Sequence, residues 1–198
     1  KTLDSLISFI SKLKNDINKL FAIYTYAALN IEYDVDSYFS TENRSKSNTL
    51  EEIFETKKAL CSGYSLFFIE LAKRVNIDSK RIIIKDWSNF AKGYSYNALN
   101  APTIIKSNHS SVFISIDGVP FISEPTWGSG CIDNEHKFER QFNHEYFLIP
   151  IYKTLCDHFP TDENPFNFQF NQFLQAIKIR PFDRSLKTES NPFVNIKC

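Results

Sequence analysis

The 198-residue chain sets 23 Lys and Arg against 23 Asp and Glu, so its formal charge is zero and it lacks the clustered cations that a phosphate-binding surface needs. Hydrophobic residues at 42% and aromatics at 15%, with 19 Phe and 9 Tyr, describe a globular chain able to bury a sizeable core. No apolar run approaches a membrane span, and the opening "KTLDSLISFISKL" carries no small-residue cleavage site, so it reads as a helix rather than a signal.

Apolar residues at Leu3, Leu6, Ile10, Leu13, Ile17, Leu20, Phe21 and Tyr24 recur at the helical period. They predict one long helix, or two joined near Lys14 to Asn18, ending around Asn30. "EYDVDSYFSTENRSKSN" reads as a polar connection. Thr49 followed by Glu52 is a capping-box signature, which starts a short helix through "LEEIFETKK". After Cys61, an amphipathic helix should bury Tyr64, Phe67, Phe68, Leu71 and Val75. "RIIIKDW" predicts a covered strand and "AKGYSYNALNAPTIIKSN" a loop.

Asp117-Gly118 between two β-prone runs predicts a two-residue hairpin turn. Position 116 then faces 119, which sets Ser111 opposite Glu124 and His109 opposite Thr126. His109 and Glu124 share a face as diagonal neighbours, within reach of a long side chain. "EYFLIP" suggests one more strand, and "HFPTDENPFNFQF" opens a Pro- and Phe-rich tail without clear periodicity.

The cysteines at 61, 131, 156 and 198 lack the density and spacing of a disulfide framework. Sequons begin at Asn43 and Asn108, and a glycan at Asn108 would sit beside His109. A reducing, cytoplasmic setting is therefore expected. The absence of Met reads as the mark of an excised fragment. Cys131, His136, Cys156 and His158 match no common zinc spacing, "DVDSYFSTENRS" lacks the turn glycine and terminal Glu of a calcium loop, and no phosphate-cradling glycine motif occurs. No metal or cofactor is expected.

The chemistry concentrates on Cys61. A lone cysteine is more often a small buried hydrophobe than a nucleophile. Here, however, it heads a helix, where partial positive charge and unpaired N–H groups stabilise a thiolate, and small Ser62 and Gly63 leave room for a substrate. His109 can accept the thiol proton, and Glu124 can orient the imidazole. Ser110 and Ser111 beside His109 are poor candidates for a serine nucleophile, because strand neighbours point to opposite faces.

Cysteine at a helix start, histidine on a strand and an acid on the next strand is an order that resembles the transglutaminase-like, papain-type superfamily. Within it, the chain is most similar to the kyphoscoliosis peptidase branch. The similarity rests on "AIYTYAALNIEYDVDSYF", "KKALCSGYSLFF", "AKGYSY", "NHSSVFISIDGVPFISEPTWGSG", and the closing "YFLIP" and "HFPTDE", over roughly residues 15 to 165. The resemblance implies an α+β transglutaminase-like fold, with N-terminal helices and the nucleophile helix packed on an antiparallel sheet. It assigns Cys61 as nucleophile, His109 as general base and Glu124 as third member, and hints that Lys92 and Gly93 border the cleft. Trp127 in "PTWG" is expected as a core residue or a wall of the substrate cleft rather than a substrate contact. The branch pattern has Asp where this chain has Glu124, and tryptophan where it has Ser111, a change expected to leave a more open or wetter cleft. Tyr26 also stands where tryptophan is frequent.

The expected organisation is a domain over residues 1–165 and, over 166–198, a tail or the start of a following module. The expected activity is acyl transfer at protein amides through a thioester, as a peptidase or deamidase or as a crosslinking enzyme. The implied partners are protein or peptide substrates, with cytoskeletal or signalling proteins among the candidates. The alternative is a catalytically inactive, transglutaminase-like interaction scaffold. A peptide-N-glycanase-like amidase ranks lower, since the zinc-binding cysteine pairs expected ahead of its core are missing.

Overall fold

Two helices rather than one open the chain, because Asn15 starts a new N-terminus. Its side chain accepts the Asn18 N–H at 2.8 Å, separating α1 (Leu3–Ser11) from α2 (Asp16–Asn30). The computed structural model describes residues 2–40, 49–86, 108–154 and 158–160. The polar connection after α2 is more ordered than its composition suggests: it holds a short strand, β1 (Glu32–Tyr33), and a helix, α3 (Val35–Phe39), capped by Asp34.

The capping box forms as expected. Thr49 accepts from the Glu52 N–H at 3.2 Å, and Glu52 accepts from the Thr49 N–H at 2.9 Å, which starts α4 (Leu50–Thr56). Lys57, at φ 57°, ends that helix two residues earlier than its sequence suggests. β2 (Lys58–Ala59) then pairs in parallel with β1 and delivers the chain to α5 (Cys61–Arg74). Tyr64, Phe67, Phe68, Leu71 and Val75 are all buried, the predicted face. Removing one such aromatic from water contributes about 1.5–3 kcal/mol, so α5 is held by its packing rather than by helix propensity. The Tyr64 O–H donates to the Ile31 carbonyl at 2.6 Å, and Tyr26 stacks between Phe54 and Phe67 at 6.0 and 5.7 Å.

The main sheet has five strands in the order β8-β5-β4-β3-β9, with every neighbouring pair antiparallel. They are β3 (Ser79–Asp86), β4 (Asn108–Ile116), β5 (Val119–Ser123), β8 (Ile149–Pro150) and β9 (His158–Pro160). Asp117 and Gly118 turn the β4–β5 hairpin at φ 51° and 78°, the left-handed pair that a two-residue type I′ turn requires. Ile116 faces Val119 and Val112 faces Ser123, the register expected from the turn. Val112 and Ile114 join the main core with α2 and α5, while Phe113 packs with Ile82, Ile84 and Ile122 in a second cluster on the opposite face.

Three expectations change. "EYFLIP" gives a 3₁₀ turn (His144–Tyr146) and only the two residues of β8, because Leu148 adopts φ 48° and breaks the extended run. The start of the tail is not irregular: His158–Pro160 pairs with Ile84–Asp86 as an edge strand. A further hairpin, β6 (Gly130–Ile132) with β7 (Phe138–Arg140), follows the "PTWG" segment. The expected loop over residues 91–107 and the tail over 166–198 lie outside the described residues. Among the described residues, no helix is long and apolar enough to cross a membrane.

Candidate active site

Cys61 is the first residue of α5, and no side chain caps that helix. The Gly63 and Tyr64 N–H groups donate to the Leu60 carbonyl at 2.9 and 3.0 Å, so the positive end of the helix is presented through Cys61 and Ser62. The backbone N–H groups of Ser62 and of Ser110, on the neighbouring strand β4, act to lower the Cys61 thiol. His109 is the neighbouring side chain whose polarity and charge act most strongly to lower the same thiol. Burial pushes the Cys61 thiol up, but the polarity and charge of His109, with the Ser110 and Ser62 N–H groups, outweigh it. The thiol therefore sits below its ordinary value.

His109 Nε2 meets Glu124 Oε2 at 2.8 Å, and both side chains are buried. With Nε2 engaged by the carboxylate, Nδ1 is the ring nitrogen left to serve the thiol. Glu124 follows the last residue of β5 and is fixed through its backbone, its N–H donating to Tyr146 O and its carbonyl accepting from the Gly128 N–H, each at 2.9 Å. The predicted diagonal relation of His109 and Glu124 thus closes into a contact. Across the hairpin, Ser111 donates its hydroxyl to Glu124 Oε1.

That bond corrects the expectation for Ser111. The side chain is fully buried and turned onto the carboxylate, so it neither lines the cleft nor opens it to water. Ser62 is exposed beside Cys61, and Gly63 is buried in the first turn of α5. Trp127 is 7% exposed and its indole stacks on the His109 imidazole. Lys92 and Gly93 lie outside the described residues.

Two contributors escaped the sequence reading. Ser65 lies one helical turn beyond Cys61 and donates to the Ser110 carbonyl at 2.9 Å, while the Ser110 hydroxyl donates to Ser65 Oγ at 3.0 Å. This clasp holds the strand segment whose N–H acts to lower the thiol. The i, i+4 spacing of Cys61 and Ser65 is its only trace in the sequence. Tyr24 is the other: its O–H donates to Asn143 O at 2.5 Å beneath the "PTWG" turn. Burial, and then the nearby Glu124 and Tyr146, push its phenol up, so it stays a neutral donor.

A thiol at an uncapped helix start, a strand histidine and a buried carboxylate on that histidine are thus brought together on an α+β scaffold. The chain belongs to the transglutaminase-like superfamily, whose family model matches residues 6–113, more than half of the sequence. That match takes in Cys61 and His109 and ends before Glu124. Solved structures similar to it include a candidate cysteine protease from Cytophaga hutchinsonii, at 18% identity and TM-score 0.44 over 62% of this chain and 37% of that one. A structure described as a TGase is similar at 16% identity and TM-score 0.45, over 73% of this chain and 36% of its own. Legionella pneumophila LapG, in an EGTA-treated form, is similar at 10% identity and TM-score 0.39, over 81% and 80%. The chain thus spans little more than a third of the first two. No curated protein matches it.

Proposed function

We propose that the protein catalyses cysteine-dependent acyl transfer at protein or peptide amides through a Cys61–His109–Glu124 triad. The observation that carries this reading is the buried 2.8 Å contact of His109 with Glu124, with His109 acting to hold the Cys61 thiol below its ordinary value. The general chemistry of the transglutaminase-like superfamily supports it. The ordered sequence blocks support a place in the kyphoscoliosis peptidase branch, and the free thiols of Cys61 and Cys131 suit a reducing, cytoplasmic setting.

Cys61 sulfur, as thiolate, attacks the amide carbonyl carbon while its proton rests on His109. The carbonyl oxygen becomes an oxyanion, for which the Cys61 backbone N–H at the start of α5 is a donor. His109 then protonates the departing amine, the C–N bond breaks and a thioester remains on Cys61. Water or a lysine amine, deprotonated by His109, attacks the thioester and restores the thiolate. Glu124 stays ionised throughout and stabilises the imidazolium. The scaffold alternative drew its support from an open cleft at Ser111, and that side chain is buried.

Incubation with glutaminyl peptides, with and without a small primary amine, followed by mass spectrometry, tests the reading. An acyl adduct on Cys61 is expected, together with a deamidated or cleaved product or an amine conjugate. Absence of any adduct or product across a peptide library contradicts the proposal, and the product formed separates hydrolysis from crosslinking.

A further inference from the structure

We infer that Ser111 is a positioning residue for the triad, the group that orients Glu124 toward His109. This inference rests on the triad reading proposed above. A Glu side chain has one more rotatable bond than Asp, so a buried Glu presents a chosen oxygen to a partner only if something fixes the carboxylate plane. Ser111 does so from across the hairpin: it precedes Val112, which pairs with Ser123, and Glu124 follows Ser123 just past the end of β5. Its hydroxyl donates to Oε1, and Oε2 is thereby aimed at His109 Nε2 at 2.8 Å.

The division of oxygens is strict in its chemistry. A serine hydroxyl supplies one proton, and a carboxylate accepts at both oxygens. With Oε1 occupied by Ser111, the imidazole N–H takes Oε2, and that fixes the tautomer leaving Nδ1 to accept the thiol proton. Ser111 and Glu124 are both buried, so water does not replace the hydroxyl. Three residues on two strands thus act as one unit: Ser111 holds Glu124, Glu124 holds His109, and His109 lowers the thiol.

The experiment reads Cys61 directly. Alkylation rates followed by peptide mass spectrometry from pH 5.5 to 9 give the midpoint of thiolate formation in the wild type, Ser111→Ala and Ser111→Thr. Ser111→Ala is expected to slow Cys61 labelling at pH 6.5 by on the order of tenfold, to move the midpoint toward the ordinary thiol value, and to lower kcat with KM little changed. Ser111→Thr, which keeps the hydroxyl, is expected to recover most of that loss. In the wild type, the Ser111 hydroxyl proton should exchange slowly with solvent by NMR, a readout independent of how the variants fold. A lowered wild-type midpoint that Ser111→Ala leaves unmoved, or a hydroxyl proton exchanging at the solvent rate, overturns the role of Ser111 alone. An ordinary wild-type midpoint overturns the triad reading, and this inference with it.

Discussion

The indole of Trp127 lies nearly parallel to the imidazole of His109, with ring centroids 4.9 Å apart and planes 15° apart. An indole face is electronegative, so it favours the cationic form of the ring stacked on it. Trp127 also covers the imidazole, keeping its contact with Glu124 dry and therefore strong. Trp127→Leu keeps an apolar cover and removes the aromatic face. Since a desolvated cation–π contact contributes about 2 kcal/mol, Cys61 alkylation near pH 6.5 is expected to slow by about 30-fold, with only a modest loss of thermal stability. Unchanged labelling would show that the indole serves packing alone.

Glu124→Gln tests the far end of the relay. The amide keeps the shape of the carboxylate and can hold the ring, but it cannot stabilise imidazolium. Turnover is expected to fall about 10³-fold or more, by analogy with the loss seen when a triad carboxylate becomes an amide. Circular dichroism should show the fold retained, and turnover within a factor of two of wild type would remove Glu124 from the mechanism.

The turn that carries Trp127 is built on a close approach. A Cβ on Gly128 would lie 1.7 Å from the Tyr24 hydroxyl and 3.1 Å from the Asn143 carbonyl oxygen. Tyr24 is fully buried and its O–H is already committed to Asn143, so it has little room to yield. Gly128→Ala is expected to destabilise the protein by about 1–3 kcal/mol and to weaken the Trp127 stack. In a Tyr24→Phe background the same substitution should do somewhat less damage, because the hydroxyl oxygen is gone while the ring carbon 2.5 Å from the added Cβ remains. Additive losses in unfolding midpoint for the pair would show that the two sites do not touch.

The parts legible in the sequence were those with a local signal. The box of Thr49 and Glu52 names a helix start by chemistry alone, and Asp117-Gly118 fixes a register that carries to Val112 and Ser123. From that register the contact of His109 with Glu124 followed. So did the opposition of Ser111 and Glu124, and reading Ser111 as a gap in the cleft overlooked what its own pairing implied. The strands of two or three residues, β1, β2, β6, β7 and β9, escaped because alternation needs more residues than they have, and β8 is shorter than the strand expected there. The clasp of Ser65 and Ser110 escaped for a different reason. It depends on how closely α5 approaches β4, a tertiary distance that no local pattern encodes.

The central claim is that fold and site together keep the Cys61 thiol ionised below the range of an ordinary cysteine. Cys131 supplies the internal contrast, since burial, with Glu139 and Asp133 nearby, pushes its thiol up. The folded Cys61 value lies below the unfolded one, so its ionisation stabilises the fold above the ordinary thiol range. That stabilisation is lost as pH falls through the lowered value. The most direct measurement is time-resolved iodoacetamide labelling of the folded protein from pH 5.5 to 9, read peptide by peptide, in wild type and His109→Ala. An ordinary thiol of pKa about 8.5 is only about 1% ionised at pH 6.5, so Cys61 should label well ahead of Cys131 there. His109→Ala should erase the lead at Cys61 and leave Cys131 unchanged. Labelling of Cys61 no faster than Cys131, and insensitive to His109→Ala, would contradict the account.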